Sequence, residues 1–184
     1  MLSGRRLDLI DPSPVDIEIE DIAHGLARVA RWNGQTSGDH AFTVAQHSLL
    51  VVDILPHIHP KASDADRLAA LLHDAPEYVV GDLISPFKRA VGIDYKQFEE
   101  RLLQAIHLRF GLPALLPERV TKAIKRADQI AAYLEATELA GFSAEEAEKF
   151  FGKPQDGFFA DLEPAPAESI KSSFIKAFNR FFVS

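Results

Sequence analysis

The sequence predicts an all-α, single-domain fold on three observations. Apolar residues recur at three- and four-residue spacing in segment after segment. No stretch of useful length alternates with the two-residue period of a strand. The 184 residues fit one ordinary domain with a core large enough to enclose a polar site. The expected organisation is an N-terminal arm over residues 1–15 and a helical domain over 16–184, within which 152–166 form a loop and 167–184 a C-terminal helix.

The arm carries Pro12 and Pro14 without a helical period, so it reads as extended or irregular, with room for a small hairpin. From Asp16 the spacing of Ile19, Ile22, Ala23, Leu26 and Ala30 predicts a first helix that stops near the breaker-rich "WNGQTSGD". Thr43 is the expected N-cap of a second helix whose Val44, Ser48, Val51, Val52 and Leu55 share a face and which ends at Pro56; His47 lies on or beside that face. Ser63 or Asp64 caps a third, with Leu68, Leu71, Leu72 and Ala75 inward, and Pro76 ends or kinks it directly after His73 and Asp74. Gly81 stops the turn that follows, and "SPF" at 85–87 opens a short helix. A fifth helix spans about 94–110 and a sixth opens at Pro117 and runs toward Leu139. Residues 143–151 form one more short candidate, and the last helix turns Ile170, Phe174, Phe178 and Phe181 inward.

Composition narrows the function. Apolar residues make up 47% and charged residues 26%, and no apolar run approaches the ~18 residues of a membrane span, so no membrane partner is expected. The stretch "MLSGRRLDLIDPSP" lacks an apolar signal region, which makes the cytoplasm the expected location. A net charge of −7 with scattered Lys and Arg argues against polymeric nucleic acid and leaves a single small anion as an admissible ligand. With no cysteine, any metal must be held by nitrogen and oxygen.

Four polar residues fall on or beside apolar stripes of separate helices: His47, His73, Asp74 and Asp128. An unpaired buried carboxylate costs several kcal/mol, so each acid there needs a partner. Two imidazoles and two carboxylates meeting at a helix junction would suit a divalent cation, which neutralises both acids. Taken singly they are weaker signals, because a histidine on an apolar face is more often hydrogen-bonded core.

His47 in "TVAQHSLLV", the pair in "LLHDAPE" and Asp128 in "IKRADQIAAYLEA" resemble the H…HD…D pattern of the HD-domain metal-dependent phosphohydrolases. "RW" upstream of the first histidine, and "HDAPEYVVGDLISPFK", resemble the bacterial 5'-deoxynucleotidase branch of that superfamily, over about residues 16–140. The resemblance implies the helical HD-domain fold and one divalent metal ion (Co, Mn, Zn, Ni, Fe, Cu or Mg) held by His47, His73, Asp74 and Asp128. It implies that Glu77 orients or deprotonates the attacking water and that Asp82 contacts the sugar or the water network. It assigns Arg31 to phosphate, Trp32 to the nucleoside and Lys88 to the substrate pocket, and it allows a homodimer. By spacing alone, the favoured reading of Arg31 is a solvated helix-end cation and that of Trp32 is core, while Asp82 reads equally as a turn or capping residue and Lys88 as exposed. Gln46 stands where the branch often has a glutamate. The expected reaction is removal of phosphate from a (deoxy)nucleoside 5'-monophosphate by metal-activated water. A triphosphate or signaling-nucleotide substrate on the same site, or a nucleotide-binding module without turnover, are the alternatives.

Overall fold

The computed structural model describes residues 1–83, 93–154 and 158–182. Among them are eight α-helices: α1 (Ile19–Leu26), α2 (Val44–Ile58), α3 (Asp64–Leu71), α4 (Glu77–Val80), α5 (Ile93–Arg109), α6 (Glu118–Glu138), α7 (Ala144–Phe151) and α8 (Ala167–Phe181). Single 3-10 turns cover Pro14–Asp16 and Arg31–Gly34. The fold is all-α, and the described residues contain no strand.

The hub is α2, whose "VAQHSLLVVDILPHI" is apolar on most of its circumference and therefore has to be surrounded. It packs on α6, α3 and α8. Helix α8 closes the core from the far side, touching α1, α2 and α3, with Phe174 wholly buried and Phe178 edge-on to Phe110 at 5.0 Å. Asp21 in α1 ties the arm down by accepting from the Ser3 backbone N–H (2.9 Å) and hydroxyl (2.5 Å). Helix α1 crosses α4 so closely that a Cβ on Gly25 would sit 2.8 Å from Tyr78 Cβ and 2.9 Å from the Tyr78 carbonyl oxygen.

Several element ends differ from the sequence expectation. Helix α1 is shorter than residues 16–30 because the N–H groups of Arg28 and Val29 both turn back to the Gly25 carbonyl. The chain then pairs with the residues before α2: Arg31 N–H donates to Phe42 O and Val44 N–H to Val29 O, around an antiparallel bridge between Ala30 and Thr43. The arm itself, residues 1–15, where the sequence admits a small hairpin, contains no strand or bridge. Pro56 does not end α2; it lies in the last turn, and the His59 N–H still reaches Leu55 O at 2.8 Å. The 85–87 segment lies outside the described residues. The caps at Thr43, Ser63 and Ser143 form as side-chain oxygens accepting from the third helical N–H, the latter two as full capping boxes.

Candidate active site

Three elements bring the charged residues together. Thr43 starts α2 so that His47 falls in its first turn on the buried side, with no exposed surface. Helix α3 stops at Leu71, one turn earlier than expected, and the chain passes through tight turns in which Ala75 N–H bonds Leu72 O and Glu77 N–H bonds Asp74 O. His73 and Asp74 therefore sit in the turn beyond the helix, aimed back at α2. Helix α6 supplies Asp128 from the other side; its side chain is 40% exposed, so the cluster meets solvent there.

The ligand-type atoms of His47, His73 and Asp128 lie within 4.8 Å of one another. His47 Nε2 is 3.2 Å from Asp128 Oδ1 and 3.5 Å from Asp74 Oδ2, and His73 Nε2 is 3.3 Å from the same Asp74 oxygen. Ligands held about 2.0–2.2 Å from a shared ion lie roughly 3–4.4 Å apart; the 3.2, 3.3 and 3.5 Å separations fall inside that range, and the 4.8 Å limit of the cluster lies just beyond it. The far nitrogens are both committed: His73 Nδ1 lies 2.8 Å from Ala70 O and His47 Nδ1 lies 2.5 Å from Glu135 Oε1. An Nδ1–H donated to an oxygen leaves the Nε2 lone pair for the cluster, where both Nε2 atoms are buried and make no hydrogen bond of good geometry among the described residues. Buried nitrogens without such a bond, facing two carboxylates, are what a cation site presents before its ion is counted.

The electrostatics follow from crowding. With no cation bound, burial and the Arg31 guanidinium would press the His47 imidazole down, but Glu135 and the contact with Asp128 outweigh them and push it up to about 10, so that Nε2 then carries a proton which a bound cation would displace. His73 is also raised, with Asp74 overcoming the burial that opposes it. Burial would raise Asp74, yet the two imidazoles and Arg31 hold it well below the usual carboxylate range. Arg31 feels four acids, Glu135, Asp82, Asp74 and Asp128, and they keep it firmly charged despite its burial.

The remaining expected residues divide. Arg31 Nη1 donates to Asp82 Oδ2 at 3.2 Å and its Nε to Glu135 Oε2 at 3.1 Å, so Arg31 and Asp82 stand together beside the cluster. Trp32 Nε1 donates to the same Glu135 oxygen at 2.9 Å, and its ring packs on Phe142 and Phe151. Trp32 (φ 54) and Asn33 (φ 52) are the described non-glycine residues with positive φ. That conformation costs an L residue roughly 1–2 kcal/mol, so the carboxylate and the two phenylalanines must hold the turn in place. Glu77 is buried as the first residue of α4. Gln46 faces away from the cluster and fastens the C-terminal loop, donating to Glu163 O at 3.0 Å. Lys88 lies outside the described residues.

Glu135 escaped the sequence reading. It is fully buried, joins His47 to Arg31 and Trp32, and lies seven residues after Asp128 on the same face of α6. Burial raises its carboxyl, but His47, Arg31 and the Trp32 indole bring it down to about 2, so it is an anion.

The 5'-deoxynucleotidase YfbR-like family matches residues 22–181, which carries the likeness past residue 140 and through α8, further than the motifs reach. An uncharacterized protein of Rhodobacter capsulatus is 59% identical over 170 residues, 90% of this chain and 87% of its own length. The uncharacterized protein YfdR of Escherichia coli is 35% identical over 108 residues, 59% of this chain and 55% of YfdR. The chain therefore belongs to the YfbR-like 5'-deoxynucleotidase family, within the HD-domain superfamily.

Proposed function

We propose that this protein is a metal-dependent phosphohydrolase that releases inorganic phosphate from nucleoside 5'-monophosphates, with deoxynucleosides preferred. The observation that carries the reading is the convergence of His47 Nε2 and His73 Nε2 on Asp128 and Asp74, both far nitrogens being held by oxygen. His47, His73, Asp74 and Asp128 are the proposed ligands of one divalent ion. When bound, such an ion supplies positive charge to a phosphoryl oxygen and lowers the pKa of water from about 15.7 to about 7.

The protein's own groups do the rest. Arg31 grips phosphate with a planar pair of donors, exchanging its Asp82 partner for substrate oxygens; its present contact with Asp82 beside the cluster supports this. Asp82, released, is free to accept from a sugar hydroxyl or from water. Glu77 begins α4 directly after the turn that carries Asp74, a position from which a carboxylate can orient water or take its proton. Trp32, braced by Phe142 and Phe151, gives the nucleoside a rigid wall that a 2'-hydroxyl would crowd. A part for Lys88 at the substrate, and a homodimer, rest on the family resemblance alone. The described residues contain no helix long and apolar enough to cross a membrane.

The test is metal content by mass spectrometry, followed by phosphate release from a panel of ribo- and deoxynucleoside mono- and triphosphates. Phosphate from deoxynucleoside monophosphates, lost together with the metal in Asp74→Ala, is the expected result. Release of intact triphosphate would move the substrate. Full metal and full activity in Asp74→Ala would overturn the ligand set.

A further inference from the structure

We infer that Glu135 is a positioning residue that couples the metal seat to the nucleotide wall, both ends depending on its single carboxylate. The inference rests on the metal site and substrate wall proposed above and goes beyond them in naming what holds the two together. Oε1 lies 2.5 Å from His47 Nδ1, which keeps the proton on Nδ1 and turns the Nε2 lone pair toward Asp74 and Asp128. Oε2 accepts from Arg31 Nε at 3.1 Å and Trp32 Nε1 at 2.9 Å. Three donors from two distant segments thus converge on one side chain with no exposed surface. Only an anion with two acceptor oxygens satisfies them all.

The geometry makes the coupling testable with one atom. In Glu135→Gln, the amide has one acceptor and one donor end. With its oxygen toward His47, its NH2 group meets the Arg31 and Trp32 donors head-on, and the wall loses its anchor. Flipped, it donates to His47 Nδ1, which drives the imidazole proton onto Nε2, where it competes with a metal. No orientation serves both sides. Loss of an outer-shell partner typically weakens metal binding about 10–100-fold.

Trp32 is the sequence's one tryptophan, so its indole N–H gives a single NMR resonance that needs no assignment. The experiment follows that resonance and Zn2+ affinity by calorimetry, in wild type and in Glu135→Gln. Addition of Zn2+ to wild type is expected to shift the indole signal, because a cation on His47 Nε2 strengthens the Nδ1–H bond to Glu135 and withdraws charge from Oε2. Glu135→Gln is expected either to bind Zn2+ at least tenfold more weakly or to move the indole resonance as its hydrogen bond is lost, and in both cases to break the response of the indole to Zn2+. Should Glu135→Gln fail to fold, the wild-type titration decides. Zn2+ uptake by wild type with an unmoved indole resonance, or a Glu135→Gln protein with wild-type affinity and wild-type indole response, would overturn the coupling. No Zn2+ uptake by folded wild type would instead overturn the metal reading beneath it, and the coupling with it.

Discussion

Replacing Gly25 by alanine adds one methyl group at the α1–α4 contact, outside the His47–His73–Asp128 cluster, and on the role proposed for Glu77 it is expected to have a large effect on rate. The new Cβ would lie 2.8 Å from Tyr78 Cβ, 2.9 Å from Tyr78 O and 3.1 Å from Tyr78 Cα. Carbon atoms rest at about 3.5–4.0 Å, so α1 and α4 must separate by roughly 1 Å. No rotamer relieves this, because two of the three atoms are backbone. Glu77 precedes Tyr78 in the four-residue α4 and must move with it. Overpacking costs about 1–3 kcal/mol, and alanine returns up to about 1 kcal/mol over glycine inside a helix, so net destabilisation is roughly 0–3 kcal/mol. A reacting group misplaced by about 1 Å can cost about 10²-fold in rate, or about 2.7 kcal/mol of barrier. The expected pattern is a folded variant in which kcat for phosphate release from a deoxynucleoside monophosphate falls about 10–100-fold, urea stability falls by no more than about 3 kcal/mol, and metal affinity stays within twofold. A kcat within threefold of wild type in the folded variant would refute the argument that the α1–α4 contact positions Glu77.

Three further outcomes follow from the same geometry. Asp128→Asn removes an anion 3.2 Å from His47 Nε2 and should weaken Zn2+ binding at least tenfold in calorimetry while leaving the helical circular dichroism intact. After chelation, the protein should lose stability at both pH extremes in urea titrations. Glu135, held at about 2 against 4.5 when unfolded, contributes stability that is present above pH 4.5 and is lost as pH falls toward 2; His47, raised from 6.5 to about 10, contributes stability that is present below pH 6.5 and is lost as pH rises through 10. Phe174→Ala empties the wholly buried contact of α8 and should cost about 3–5 kcal/mol in chemical denaturation, with kcat per folded molecule unchanged.

The helices were legible because a buried stripe repeats at a spacing that solvent exposure would not maintain, and the metal-type residues were legible because they interrupt such stripes with charge. Helix ends were less so. Pro56 breaks one hydrogen bond but lies in a last turn, and α1 yields its final residues to a bridge with Thr43, a tertiary contact that no local pattern encodes. Trp32 is harder still, since in "RWNG" the positive φ begins at Trp32 and Asn33, ahead of Gly34, and the conformation at Trp32 is braced by Glu135 and two phenylalanines more than 100 residues away. Glu135 itself carries only a faint signal, its seven-residue distance from Asp128. A glutamate in a helix is ordinary until its partners, 88 and 104 residues distant, are brought to it by the fold.

That seven-residue distance explains why the site and the core share one contact. Two turns of α6 rise about 10 Å, and the His47 imidazole fits into the interval, Nε2 toward Asp128 and Nδ1 toward Glu135. The ring can reach both carboxylates only while α2 lies flush on α6, the two helices joined by the apolar residues around His47 on one side and by Ile124, Ala127 and Ala131 on the other. A substitution that loosens this seam therefore changes stability and metal affinity together. One that loosens the α8 face changes stability alone. A set of graded core substitutions on the two faces separates these behaviours: metal affinity should follow urea stability along the α2–α6 seam and stay flat along α8, and an equal slope on both faces would mean that the ligands are held by something other than the packing of α2 on α6.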